Sequence, residues 1–297
     1  MTDHRSAANR RGILAISLCM ASFVSNDALV KYVSQSLPAA QLIFIRGAFA
    51  SALLLVVAQS MGLLRGARGS ETTARQHILQ RPVVLRSSLD ALGTMTFLGG
   101  LFHIPIGNAT AINMAAPLFI TLLAVLFMHE RVSRARWLAT AMGFVGVLLV
   151  VQPAADGFNA WALLCLLSAL ISSSRDLVTR VINPNVPAVL ISLAAALTMT
   201  VLAGAWCALH GWQPVTVPQL GLLAAAGMFL SSGYYFAVTA MREGDISVVA
   251  PFRYTALVFA LLIGWVVWGD VPNALAWAGI ALLVGAGIYM VRGGGRN

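Results

Sequence analysis

The chain has 297 residues, of which 59% are hydrophobic and only 10% charged. Soluble domains carry about 25% charged residues, so this composition excludes a soluble globular fold and indicates an integral membrane protein. The net charge of +9 does not mark a nucleic-acid partner, because the arginines stand in short polar segments between apolar runs, as cytoplasmic membrane anchors do.

Residues 1–11 form a polar, basic tail containing Arg5, Arg10 and Arg11. The apolar run that follows continues through Asn26 and Asp27 to Val33, which argues against a cleaved signal peptide. Ten apolar spans can be counted: 12–33, 39–62, 83–103, 108–128, 135–152, 160–181, 187–210, 218–241, 246–268 and 273–292. The loops between them are short, except the arginine-rich stretch from Leu63 to Pro82. With the N-terminus inside, Arg65, Arg68, Arg75, Arg81, Arg131, Arg134, Arg136, Arg180 and Arg242 all fall on the inner side. Asp156 and Asp270 fall outside, where no arginine occurs. That asymmetry places both termini in the cytoplasm.

The chain echoes itself. Asp27, Lys31 and Pro38 match Asp176, Arg180 and Pro187, each 149 residues later. Phe97, Gly107 and Asn108 match Tyr234, Gly244 and Asp245 at an offset of 137. Glu130 and Trp137 match Asp270 and Trp277 at an offset of 140. Five spans per half is an odd number, so the second half is inverted in the membrane. Inverted repeats with a binding site at their interface are a transporter design. The expected organisation is a first repeat at 12–152, a second, inverted repeat at 153–292 and a cytoplasmic tail at 293–297.

Two stretches carry a family resemblance: APLFITLLAVLFMHERVSRARWLATAMGFVGVLLV (116–150) and APFRYTALVFALLIGWVVWGDVPNALAWAGIALLVGAG (250–287). Each has an acidic residue after an apolar helix, then a glycine-containing last helix. In this the chain resembles the EamA-type ten-helix carriers of the drug/metabolite transporter superfamily, and among them the YddG-type aromatic amino-acid exporters. Asp270 stands where the family usually has Glu. The resemblance implies a bacterial inner-membrane exporter of small metabolites. A central cavity lined mainly by spans 1, 3, 4, 6, 8 and 9 is expected, the assignment of spans 4 and 8 being partly what the resemblance implies.

Ionisable residues inside a membrane are functional candidates by default. Asp27 and Arg46 share a depth near the outer side and are expected to pair. Asp90 and Arg253 share a depth near the inner side, on spans from different halves, and Asp176 approaches them. Either pair can be a fixed packing element. The second can equally be a gate, or a contact for a zwitterionic substrate, because it crosses the halves. Span 8 carries Ser231, Tyr234 and Tyr235 near mid-membrane, where tyrosine is uncommon, so one of the two tyrosines is expected to line the cavity. Phe97, Asn113 and Tyr254 complete the candidate lining. Pro117 and Pro251 are expected to break their helices. Gly99, Gly100, Gly143, Gly146, Gly285 and Gly287 are expected at close helix contacts, and the tryptophans in an interfacial belt.

Cys19, Cys165 and Cys207 lie inside apolar runs without metal-ligand spacing, so neither a disulfide nor a metal site is expected. No Walker-type glycine loop and no hydrolase or metalloprotease motif occurs, which leaves no sign of ATP drive, catalysis or a cofactor. The expectation is an all-α membrane carrier in contact with the lipid bilayer. It takes a small-molecule substrate, an amino acid or similar metabolite, by alternating access. A monomer is expected, a dimer being the alternative. The competing readings are an importer of a nucleoside-like or S-adenosyl compound and a non-transporting membrane scaffold.

Overall fold

The structure is a computed structural model and describes residues 2–64, 74–128, 134–151, 160–243 and 250–293. Arg65, Arg68, Glu130, Arg131, Asp156, Gly244, Asp245 and Arg296 lie outside those residues. Among the described residues the regular elements are all helical. They are α1 Thr2–Val33, α2 Ala39–Ser60, the short α3 Ala74–Ile78, α4 Arg81–Leu101, α5 Ile106–Asn113 and α6 Ala116–Met128. Then come α7 Arg134–Val151, α8 Ala160–Arg180, α9 Ala188–His210, α10 Val217–Glu243, α11 Thr255–Trp268 and α12 Ala274–Gly293. A 3-10 turn, Ala250–Tyr254, precedes α11. Among the described residues five segments are long and apolar enough to cross a membrane: Asn9–Val33, Ala39–Ser60, Ala160–Thr179, Ala188–Leu209 and Val217–Ala237.

Sequence sets many of the helix ends. Pro38, Pro105 and Pro187 stand at the N-caps of α2, α5 and α9, and Pro82 in the first turn of α4. Proline suits these places because the first turn leaves its N–H groups unpaired anyway. Gly211 closes α9 and Gly269 closes α11 with φ of 86° and 70°, backbone that a side chain resists.

The helix of span 1 extends back through the basic segment, since α1 starts at Thr2. Span 4 is two helices, with a turn at Met114 and Ala115 before Pro117 in the first turn of α6. Ser173 of α8 donates to the Ala116 carbonyl there at 2.9 Å, supplying a partner beside the break. Pro251 lies in the 3-10 turn that precedes α11.

Helices adjacent in sequence are mostly not neighbours in space. α1 packs on α10 and α11 and barely touches α2. α2 packs on α9 and α10, α4 on α8 and α9, α6 on α8, α5 on α11, and α7 on α12. Exchanging the two halves, so that α1 stands for α8, α2 for α9, α4 for α10, α5–α6 for α11 and α7 for α12, maps each of these contacts onto another of them or onto itself. The outer face is apolar, with Val56 and Val201 among its exposed residues. In lipid such surface is already in a matching solvent, so close packing between helices, not hydrophobic burial, holds the bundle.

Candidate substrate cavity

A cavity of about 600 Å³ lies between the halves, within the range of small-molecule pockets. Its walls come from α1, α4, α5–α6, α8, α10 and the turn before α11, together with α2 and α9. The last two were not expected. They enter because α2 and α9 pack on each other across the middle, presenting Arg46, Gly47 and Ala50 from one and Ala195, Ala196 and Met199 from the other. Aromatic faces come from Phe23, Phe97, Tyr234 and Tyr254. Phe23 meets Tyr234 edge-to-face at 5.6 Å between ring centres.

Two polar clusters stand on this wall. In the first, Arg175 of α8 donates through Nη1 to Asp90 of α4 at 2.7 Å, and through Nη2 and Nε to Asp176 at 2.8 and 3.0 Å. One guanidinium thus holds two carboxylates. The contact is pinned nearby by Ser168 of α8, whose hydroxyl donates to the Gly93 carbonyl of α4 at 2.7 Å. In the second, buried Arg46 of α2 donates to Asn26 Oδ1 at 3.2 Å, and Asn26 Nδ2 donates to Asp27 at 2.9 Å.

The expected pairings are therefore revised. Among the described residues no ion pair joins Asp90 to Arg253; α4 packs on α8, so Arg175 is the cation within reach. Nor, among the described residues, does a direct ion pair join Asp27 to Arg46; Asn26 stands between them, accepting from Arg46 and donating to Asp27. Arg253 is exposed on the cavity wall beside Tyr254. Asn113, Phe97 and Tyr234 also line the cavity. Tyr235 does not. It is 68% exposed on the outer face of α10, edge-on to Phe236. Ser231 is buried, does not line the cavity, and its hydroxyl has no hydrogen-bond partner among the described residues. Sequence reading passed over Asn26, Thr110, Ser168 and Ser172, and gave Arg175 no partner. Each is a polar residue inside an apolar run, which was the available signal.

Arg175 and Asp176, with side chains 27% and 37% exposed, and exposed Arg253 keep accessible surface on the cavity wall. Beyond Asp27 on α1, Lys31 is buried, donating Nζ to the Leu101 carbonyl at 2.9 Å and to the Ile104 carbonyl. Its ammonium also lies 5.5 Å over the Trp268 ring. One side chain ties α1 to the α4–α5 connection and to the end of α11.

Similar proteins agree with a carrier. A riboflavin transporter of Rhizobium johnstonii is 35% identical over 70% of this chain and 68% of its own length. The pseudopaline exporter CntI of Pseudomonas aeruginosa is 27% identical over 95% and 96%. An S-adenosylmethionine uptake transporter of Rickettsia bellii is 26% identical over 94% and 93%. These cargoes differ from the aromatic amino acids expected from the sequence. A solved crystal structure aligns with a TM-score of 0.63 over 96% of this chain and 97% of that one, at 21% identity, which supports the fold. The EamA-like transporter family matches twice, at residues 10–152 and 159–292, both matches contributing walls of the cavity, and the chain belongs to that family of multi-pass membrane transporters.

Proposed function

We propose that this protein is a secondary carrier of the bacterial inner membrane that moves a polar heteroaromatic metabolite, riboflavin first among the candidates. Ten spans in two inverted repeats, with both termini in the cytoplasm, would expose the central cavity to each side in turn. The observation that carries the substrate reading is the composition of the wall. Arg46, Arg175 and Arg253 line it together with Asp27, Asp90 and Asp176, with Asn26, Asn113 and Thr110, and with the rings of Phe23, Phe97, Tyr234 and Tyr254. Such a wall suits a planar ring with several hydrogen-bonding groups better than it suits a plain aromatic side chain. The named riboflavin and S-adenosylmethionine carriers among its relatives support the same class. Aromatic amino acids are the second reading, favoured by Phe23 and Phe97 beside charged groups that would match a zwitterion. In either case Asp90, Phe97, Asn113, Tyr234, Arg253 and Tyr254 are proposed substrate contacts.

Flux in proteoliposomes tests the reading. Labelled riboflavin, tryptophan and S-adenosylmethionine are each loaded inside or supplied outside. Saturable riboflavin flux, inhibited little by tryptophan, is expected. Tryptophan flux alone would replace the substrate, and no flux with any of the three from folded protein would remove the carrier reading for these cargoes. Comparing loading from the two sides reads the direction.

A further inference from the structure

The three carboxylates on the cavity wall are not equivalent. Asp90 and Asp176 both bind Arg175, at 2.7 and 2.8 Å. Asp27 of α1 makes no ion pair among the described residues, and its one hydrogen bond there comes from Asn26 Nδ2 at 2.9 Å. It is half-buried and keeps surface on the wall. Arg46 acts on it only across Asn26, whose Oδ1 accepts from the guanidinium at 3.2 Å. Of the elements packed on α1, α2 presents Arg46 to the cavity, α10 Tyr234, α4 Asp90, and the turn before α11 Arg253 and Tyr254; α11 itself has no ionisable residue. On α1, Lys31 gives its Nζ to the Leu101 and Ile104 carbonyls, and Cys19 is buried.

A carboxylate in a membrane wall is costly unless a cation or a proton neutralises it, and carboxylates in that position mark proton paths. A metal ion is poorly served at Asp27. Hard cations gather several oxygen ligands, and the neighbouring oxygen, Asn26 Oδ1, is already taken by a guanidinium that would repel the metal. A proton needs one oxygen only. With Asp27 ionised, the wall's arginines Arg46, Arg175 and Arg253 balance its carboxylates Asp27, Asp90 and Asp176; with Asp27 protonated, the wall gains a net positive charge. A cargo that prefers one of these two states must, by linkage, shift the binding of the proton in turn.

We propose that Asp27 is the coupling site of this carrier: its carboxylate takes one proton from the water on the side the cavity faces, holds it as the neutral acid while the halves rock, and releases it to water on the other side. This names the driving ion of the carrier reading and rests on that reading. The O–H bond forms on a carboxylate oxygen and breaks on release, so nothing is consumed. Asp90 and Asp176, already matched by Arg175, take no part.

The first measurement needs no cargo. The full chain in proteoliposomes is treated with dicyclohexylcarbodiimide, which reacts with protonated carboxyl groups in apolar surroundings, and mass spectrometry locates the modified residues. Asp27 is expected to react, several-fold faster at acid than at alkaline pH, while Asp90 and Asp176 do not. An unmodified Asp27, or equal modification of all three, overturns the proposal. Protection of Asp27 by sodium at constant pH also overturns it, in favour of a metal ion. The second measurement follows flux of riboflavin, tryptophan and S-adenosylmethionine with the membrane potential clamped at zero. For a cargo that is carried, a gradient of about one pH unit should concentrate it up to about tenfold. In Asp27→Asn that ratio should fall to about one, whatever the variant's exchange rate. Equal stimulation in wild type and variant, or wild-type flux indifferent to the gradient, overturns the coupling site and leaves the carrier standing. Flux of none of the three from folded protein overturns the carrier reading for these cargoes, and the carbodiimide result then decides whether Asp27 takes a proton. That measurement uses wild type, so it stays decisive if Asp27→Asn fails to fold.

Discussion

Arg175 satisfies Asp90 and Asp176 at once, and Asp90 is the more buried of the two. Removing the shared cation leaves a carboxylate in a confined wall without compensation, the case in which breaking an ion pair costs about 3 kcal/mol or more. Arg175→Gln is therefore expected to lower the thermal unfolding midpoint by several degrees. Asp90→Asn combined with Arg175→Gln should recover much of that loss, because the double change leaves no unpaired charge at Asp90. Purely additive losses would show that the two residues do not act as a pair. Arg253 is the contrast. It is exposed and makes no ion pair among the described residues, so Arg253→Ala should leave the midpoint unchanged. A fall in flux for that variant would then report on cargo and not on folding.

The helices meet where glycine permits it. At the α7–α12 crossing a Cβ on Gly279 would stand 2.5 Å from the Gly146 carbonyl, and one on Gly146 would stand 2.8 Å from the Gly279 carbonyl. Backbone cannot yield as a side-chain tip can, so Gly279→Val should cost about 1–3 kcal/mol through overpacking. Gly285→Val on the same helix meets nothing within 4 Å and should be near neutral apart from helix propensity. Thermal unfolding of the two variants side by side checks this, and equal midpoints would sink it. Gly146 was readable from sequence as a contact residue, but Gly279 was not, and Gly285 was expected at a contact it does not make. α5 starts at Ile106 after Pro105, two residues before the expected span, whereas helix ends at Pro38, Pro187 and Gly269 were readable because these residues act through local backbone chemistry. Partners were not. Asp90 and Arg253 share a depth along their helices, but depth says nothing about which helices touch. Asp90 meets Arg175 because α4 lies on α8. Cavity residues on α2 and α9 were missed for the same reason, small side chains being anonymous until the crossing is known.

At the scale of the whole molecule, the exchange symmetry of the helix contacts meets an asymmetry in the charged side chains. The contacts are nearly interchangeable between halves, yet Lys31 is buried in a tie between α1, the α4–α5 connection and α11, whereas Arg175, Asp176 and Arg253 keep exposed surface. If the halves exchange roles during transport, Lys31 must release the Leu101 and Ile104 carbonyls and leave the Trp268 ring. Its counterpart by sequence offset is Arg180, in the other half. Hydrogen bonds between helices in a membrane are worth about 1 kcal/mol each, so losing two of them shifts the balance of the two states by roughly 10- to 30-fold. Lys31→Met keeps the apolar stem and removes the donors. Single cysteines read the outcome in a chain whose own Cys19, Cys165 and Cys207 are replaced by alanine. Ile104→Cys, beside the tie, should react slowly with an impermeant thiol reagent and at least several-fold faster once Lys31→Met is added. Arg253→Cys should react from the opposite face of the membrane, and more slowly in the Lys31→Met background, because opening one end closes the other. Labelling of both positions from the same face would refute the two-ended cavity. An unchanged rate at Ile104→Cys would show that Lys31 merely packs and does not hold the closed end shut.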